Sequence, residues 1–144
     1  MNGTIEPRHD LTPDELDAIE NQLYGHNSRS TGRADAQGIG FVIRNDAGKV
    51  VAVVAGYSWS GISELRQIWV DESYRGLGYA RRLLQAYITE AQARGIRRIW
   101  VASFDFQAPE LYEKFGFKRM AELAGWPEGH VNVVLCKTLA DTRE

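Results

Sequence analysis

A chain of 144 residues, 44% hydrophobic and 25% charged, has the length and balance of one globular domain with one core. Its formal net charge of −2 gives no electrostatic footprint for a large nucleic-acid surface, and its one cysteine, Cys136, has no partner for an internal disulfide. The opening residues Met-Asn-Gly-Thr-Ile-Glu-Pro hold no basic and then apolar run, so neither signal peptide nor membrane span is expected, and the expected location is cytoplasmic.

The first predicted helix is signposted before its apolar residues begin. Thr12 suits an N-cap, Pro13 the first helical position and Glu15 the third, a capping box ahead of Leu16, Ile19 and Leu23 on one face. Residues 25–37 are polar and read as a long loop, a kind of segment that in compact domains tends to be functional. Two strands follow, Ile39 to Arg44 and Lys49 to Trp59, joined by a hairpin turn at Asn45-Asp46-Ala47-Gly48, and a third runs from Ser63 to Val70. A long helix opening near Gly78 sets Ala80, Leu83, Leu84, Tyr87, Ile88 and Ala91 on one stripe and ends at Gly95. Ile96 to Phe104 is the next strand; with a helix between it and its predecessor, the two are expected to run parallel through a right-handed crossover. Pro109 starts a short helix ending at Gly116, and Phe117 to Ala124 and Val131 to Leu139 are the last strands. The order gives an α/β fold, a mixed sheet with helices on its faces. Cys136, inside an apolar strand, reads as a small buried hydrophobe rather than a reactive thiol.

Chemistry concentrates between the third strand and the long helix. Gly76 and Gly78 let the backbone turn tightly, and the first free amides of the helix with its dipole make an anion site, edged by Arg75 and Arg81. No Gly-Lys-Ser/Thr follows the turn and no third glycine stands at position 81, so neither the P-loop nor the dinucleotide fingerprint fits. What stands there is Arg75, Gly78 and Ala80 as Arg-x-x-Gly-x-Ala, which resembles the coenzyme A pyrophosphate loop of the GNAT family of N-acetyltransferases. The later segment Asp105 to Phe117, with Ala108, Tyr112 and Gly116-Phe117, is similar to the family's Asn-x-x-Ala-x-x-x-Tyr-x-x-x-Gly-Phe.

The resemblance, over roughly residues 37 to 139, implies the acyl-CoA N-acyltransferase fold in a single domain spanning 1–144. That fold is a mixed, mostly antiparallel sheet with a splayed parallel pair and helices on both faces. It implies acetyl-CoA as co-substrate, no metal, and direct transfer to an amine without an acyl-enzyme. Coenzyme A is then expected along Ile68, Trp69 and Val70, where the backbone of Ile68 and Val70 pairs with the pantetheine arm, and over Arg75, Gly76, Leu77, Gly78, Tyr79, Ala80 and Arg81. Glu64 is the candidate base by its place in the strand; the plainer reading is an exposed carboxylate. His130, with an ordinary pKa of roughly 6.5, is the second candidate base, or a structural residue of its Pro-Glu-Gly-His turn. Tyr112 is expected beside the sulfur as proton donor to the thiolate, or else as a core tyrosine. Asp105 departs from the family asparagine: an ionised carboxylate only accepts, so a pantetheine contact there competes with capping the helix or facing a cationic amine. Trp59, Trp69, Phe104, Phe106 and Trp126 divide between core and cleft wall, and His26 and Asn27 in the polar loop are specificity candidates. The acceptor is read as the amine of a small molecule, with a protein or peptide amine, or a non-catalytic acyl-CoA sensor, as the alternatives. A homodimer through the terminal strands is common in the family; nucleic-acid and membrane partners are not expected.

Overall fold

Thr12 caps the first helix, α1 (Pro13–Thr31), its hydroxyl accepting the Glu15 amide at 3.2 Å. In the computed structural model, which describes residues 3–139, the chain divides into one unit up to Ala34, holding α1, and one from Asp35 onward. The expected loop over 25–37 is corrected here: residues 25–31, with His26 and Asn27, continue α1, and only Gly32, left-handed at φ 68°, ends it. Polarity misled, because polar side chains cost a helix only tenths of a kcal/mol each while no proline or left-handed glycine interrupts the run. Leu16, Ile19 and Leu23 are 48%, 51% and 56% exposed, so the apolar stripe of α1 is not buried.

The second unit is built on a six-stranded sheet. Its strands are β1 (Gln37–Arg44), β2 (Val50–Trp59), β3 (Ile62–Val70), β4 (Arg98–Phe104), β5 (Lys118–Ala124) and β6 (Val131–Thr138), in the order β1-β2-β3-β4-β6-β5. All neighbours are antiparallel except β3 and β4, which are parallel as the intervening helix α2 (Tyr79–Ala93) requires. α2 lays Leu83, Leu84, Tyr87, Ile88 and Ala91 into the core, and is closed by the Ile96 amide on the Ala91 carbonyl at 3.0 Å and the Gly95 amide on that of Gln92 at 3.1 Å. These side chains meet Val54, Leu65, Ile99, Val101, Val133 and Leu135 of the sheet, and Tyr112 and Phe117 around the short helix α3 (Pro109–Lys114).

Tyr87, Tyr112 and Phe117 are in the core, while the tryptophans and two of the phenylalanines stand outside it. Trp69, Phe106 and Trp126 are 48%, 58% and 56% exposed, and Trp59 and Phe104 are half-buried. Cys136 is half-buried rather than buried. No helix among the described residues is long and apolar enough to cross a membrane.

Candidate active site

The parallel pair is short. β3 and β4 are in register only from Ile62 to Glu64 against Arg98 to Trp100; beyond that β3 pairs with β2 alone and β4 with β6 alone. The divergence opens a cavity of about 490 Å³, within the usual range of small-molecule sites. Its walls are β3 from Arg66 to Val70, the turn into α2, Ala102 and Ser103 of β4, and the start of α3 with Tyr112.

The divergence coincides with a fault in β3. Gly56 pairs with Leu65 and Ala55 with Gln67, so Arg66 is the extra residue of a β-bulge. The fault is locked from the core side: the Tyr87 hydroxyl donates to the Glu64 carbonyl at 3.2 Å and lies 2.7 Å from Ser63 Oγ, which donates to the Tyr57 carbonyl at 3.0 Å. Gly56 makes room, because a Cβ there would run into both the Glu64 carbonyl and the Tyr87 hydroxyl. Sequence reasoning missed this node; a glycine inside a strand pattern was its one signal.

At the far end of β3 the short 3₁₀ turn Glu72–Tyr74 leads into the glycines, with Gly76 at φ 79° and Gly78 at φ 82°, conformations that suit only glycine without strain. The first bond of α2 is Arg82 N–H to Gly78 C=O at 3.1 Å, and the amides of residues 76–81 donate to no backbone acceptor among the described residues. Arg75 Nε donates to the Val70 carbonyl at 3.1 Å, which anchors the guanidinium at the strand end and already engages one of the backbone groups expected to meet the pantetheine arm. Tyr79 stacks on Tyr74 with centroids 6.3 Å apart and carries the Arg82 guanidinium 5.6 Å from its ring. Arg66, Arg75 and Arg81 line the cavity and no carboxylate does, so the space is built for an anion.

Of the expected cofactor residues, Ile68, Trp69, Val70, Arg75, Gly76, Gly78, Tyr79, Ala80, Arg81 and Tyr112 all line this one cavity; Leu77 and Asp105 do not. Leu77 is 60% exposed. Tyr112 is 7% exposed, edge-on to Phe117 at 5.5 Å, and burial pushes its phenol up to about 12. Glu64 stands where the parallel pairing ends, and its carboxylate is held by Arg66 Nε at 3.4 Å, whose guanidinium lies 5.0 Å over the Tyr57 ring.

Asp105 neither caps α3, whose N-cap is Ala108 with no side-chain bond, nor faces the cavity. Its Oδ1 lies 3.0 Å from His130 Nδ1, across 25 residues of sequence. Around this pair Phe106 meets the His130 ring edge-on at 5.1 Å and stacks on Phe104 at 5.2 Å, and Trp126 meets Phe104 edge-on at 5.4 Å. Phe106 and Gln107 line the cavity, so the cluster continues its wall. No group of three or more potential metal ligands occurs among the described residues.

The model of the acetyltransferase (GNAT) family matches residues 6–117. An acetyltransferase of Agrobacterium fabrum is 29% identical over 112 residues, 78% of this chain and 82% of its own length. The blasticidin-S acetyltransferase of Streptomyces morookaense is 36% identical over 75 residues, half of this chain and 54% of its own. The crystal structure of an acetyltransferase from Bacillus cereus superimposes with a TM-score of 0.77 at 29% identity, covering 93% of this chain and 98% of that one.

Proposed function

This chain belongs to the GNAT family of acetyltransferases, and within that family we propose that it moves the acetyl group of acetyl-CoA directly to an amine of a small molecule. The observation that carries the reading is the opening between β3 and β4, which runs into the free amides of residues 76–81 past three arginines and no carboxylate. The pyrophosphate takes those amides and the α2 dipole, and the pantetheine arm lies between the strands like a missing strand.

Direct transfer needs three things from the protein. The acceptor arrives as an ammonium and must lose a proton; the developing oxyanion and thiolate must be stabilised; water must be kept out. Tyr112 serves the thiolate. With its phenol at about 12 against roughly 8.5 for an ordinary thiol, full proton transfer is uphill by about 5 kcal/mol, so Tyr112 holds the leaving sulfur by a donated hydrogen bond and stays neutral. Two groups stand beside the cavity lining as proton acceptors, Glu64 and His130. A small acceptor fits the walled cavity, and the similarity to an acetyltransferase of blasticidin S, over half of this chain, points the same way.

The test is thiol release from acetyl-CoA against a panel of polyamines, amino acids, aminoglycosides and amino nucleosides, beside calorimetric titration with coenzyme A. Turnover with one of these is expected; binding of coenzyme A with transfer only to peptide N-termini would replace the small acceptor by a protein one, and binding without any transfer would leave a sensor. Absence of coenzyme A binding would overturn the reading.

A further inference from the structure

We propose that His130 is the base that deprotonates the acceptor and that Asp105 positions it, so the two form one Asp–His unit rather than a cofactor contact and a turn residue; the proposal rests on the acetyl transfer argued above. Asp105 Oδ1 and His130 Nδ1 are 3.0 Å apart, and an ionised carboxylate is an acceptor only, so the proton between them sits on Nδ1. Nε2 is thereby left with its lone pair, and it has no hydrogen-bond partner among the described residues. Asp105 has no other cation to serve among those residues.

Both residues are held in place by bonds that involve neither side chain. The Asp105 amide donates to the Val131 carbonyl at 2.9 Å, and the turn around it is closed by Gln107, whose Oε1 accepts the Phe104 amide at 2.8 Å and whose own amide donates to the Phe104 carbonyl at 2.9 Å. The His130 amide donates to the Pro127 carbonyl at 2.9 Å, and its carbonyl accepts the Gly125 amide at 2.9 Å. The imidazole lies perpendicular to Phe106, a residue of the cavity wall, with ring centroids 5.1 Å apart, which sets His130 directly behind that wall. One oxygen of the competing carboxylate is engaged, Glu64 Oε1 lying 3.4 Å from Arg66 Nε. An oriented imidazole with an open Nε2 is the better proton acceptor of the two as they stand.

In the reaction the ammonium gives one proton to His130 Nε2 and the freed nitrogen attacks the thioester carbonyl. A C–N bond forms, the nitrogen's second proton leaves as the tetrahedral intermediate collapses, the C–S bond breaks, and the thiolate bonded by Tyr112 takes up one proton. Turnover therefore releases, net, the proton that His130 carried away.

A mere staple between two loops would share the tautomer but be indifferent to added imidazole, so the tautomer tests the pairing and the rescue tests the base. In ¹⁵N-histidine spectra of the whole protein, neutral His130 is expected as the Nδ1–H tautomer, shifting toward Nε2–H in Asp105→Ala. The Nε2–H form in the unaltered protein would overturn the proposal without any acceptor being known. With the fastest amine of the panel, His130→Gly is expected to lose kcat by about a hundredfold with KM for acetyl-CoA unchanged, and free imidazole should restore part of it. Asp105→Ala should lose about tenfold, with Asp105→Glu recovering most of that. Full kcat in either His130→Gly or Asp105→Ala sinks the unit while coenzyme A titration still reports on the underlying reading.

Discussion

The two walls of the cleft are made of different material. The wall on the α2 side offers mostly backbone, edged by arginines: free amides at residues 76–81, two glycines at positive φ, and strand edges left bare by the end of the β3–β4 pairing, with Arg75 and Arg81 beside them. On the opposite side Phe106 lines the cavity with its side chain, and Phe104, Trp126 and the Asp105–His130 pair are packed behind and beside it. Backbone suits a ligand portion that never changes, such as a pyrophosphate and its arm. Exposed side chains suit the part that differs from one acetyltransferase to the next.

The comparison breaks most visibly at Gly78. Gly78→Arg forces a side chain into the left-handed backbone at φ 82° and sets it at the mouth of the amide cradle, where no neighbouring atom stands within 4 Å of a Cβ to stop it. Coenzyme A affinity is expected to fall about a hundredfold, about 2.7 kcal/mol, with circular dichroism unchanged; calorimetry showing full affinity in a folded variant would mean the pyrophosphate lies elsewhere. Gly56→Ala attacks the fault that opens the cleft instead. Its methyl meets the Tyr87 hydroxyl and the Glu64 carbonyl, so a stability loss of about 2 kcal/mol is expected in urea unfolding. Adding Tyr87→Phe should restore part of it, since one of the two obstacles is then gone.

Legibility followed the same division. Gly76, Gly78 and Gly95 and the stripe Leu83, Leu84, Tyr87, Ile88, Ala91 carry local rules, and the turn, α2 and its end stand where those rules put them. The parallel pair followed from the helix between β3 and β4. The insertion of β6 between β4 and β5, the bulge at Arg66 and the pairing of Asp105 with His130 arise from contacts between distant segments, which a single sequence does not encode locally. Residues 25–31 failed for a different reason, their polarity having been mistaken for irregularity.

Tyr112 sits between the walls, and its effect is smaller. Tyr112→Phe should lower kcat about tenfold while leaving coenzyme A affinity as it was, because on the proposed reading only the thiolate loses a donor. It should also change alkaline stability. The phenol titrates near 10 in the unfolded chain and at about 12 in the fold, so its stabilisation is complete below pH 10 and disappears as pH rises toward 12. That share is roughly 3 kcal/mol; Tyr87, also raised by burial, adds a loss of the same sign. The gap between urea midpoints at pH 9 and pH 11.5 should therefore narrow in the phenylalanine variant, and an unchanged gap would mean that Tyr112 is not buried in solution.

The smallest effect sharpens the comparison furthest. Trp126 is 56% exposed and touches Phe104 edge-on at 5.4 Å, so Trp126→Ala forfeits an aromatic contact of about 1 kcal/mol and little buried area. If the side-chain wall receives the acceptor, the variant should raise KM for the amine several-fold, hold KM for acetyl-CoA, and shift the urea midpoint only slightly. The amide cradle makes no use of the indole, so the donor side has no means of registering its loss. A rise in KM for acetyl-CoA of the same size would show that both substrates lean on one wall, and the division between a backbone side and a side-chain side would fall.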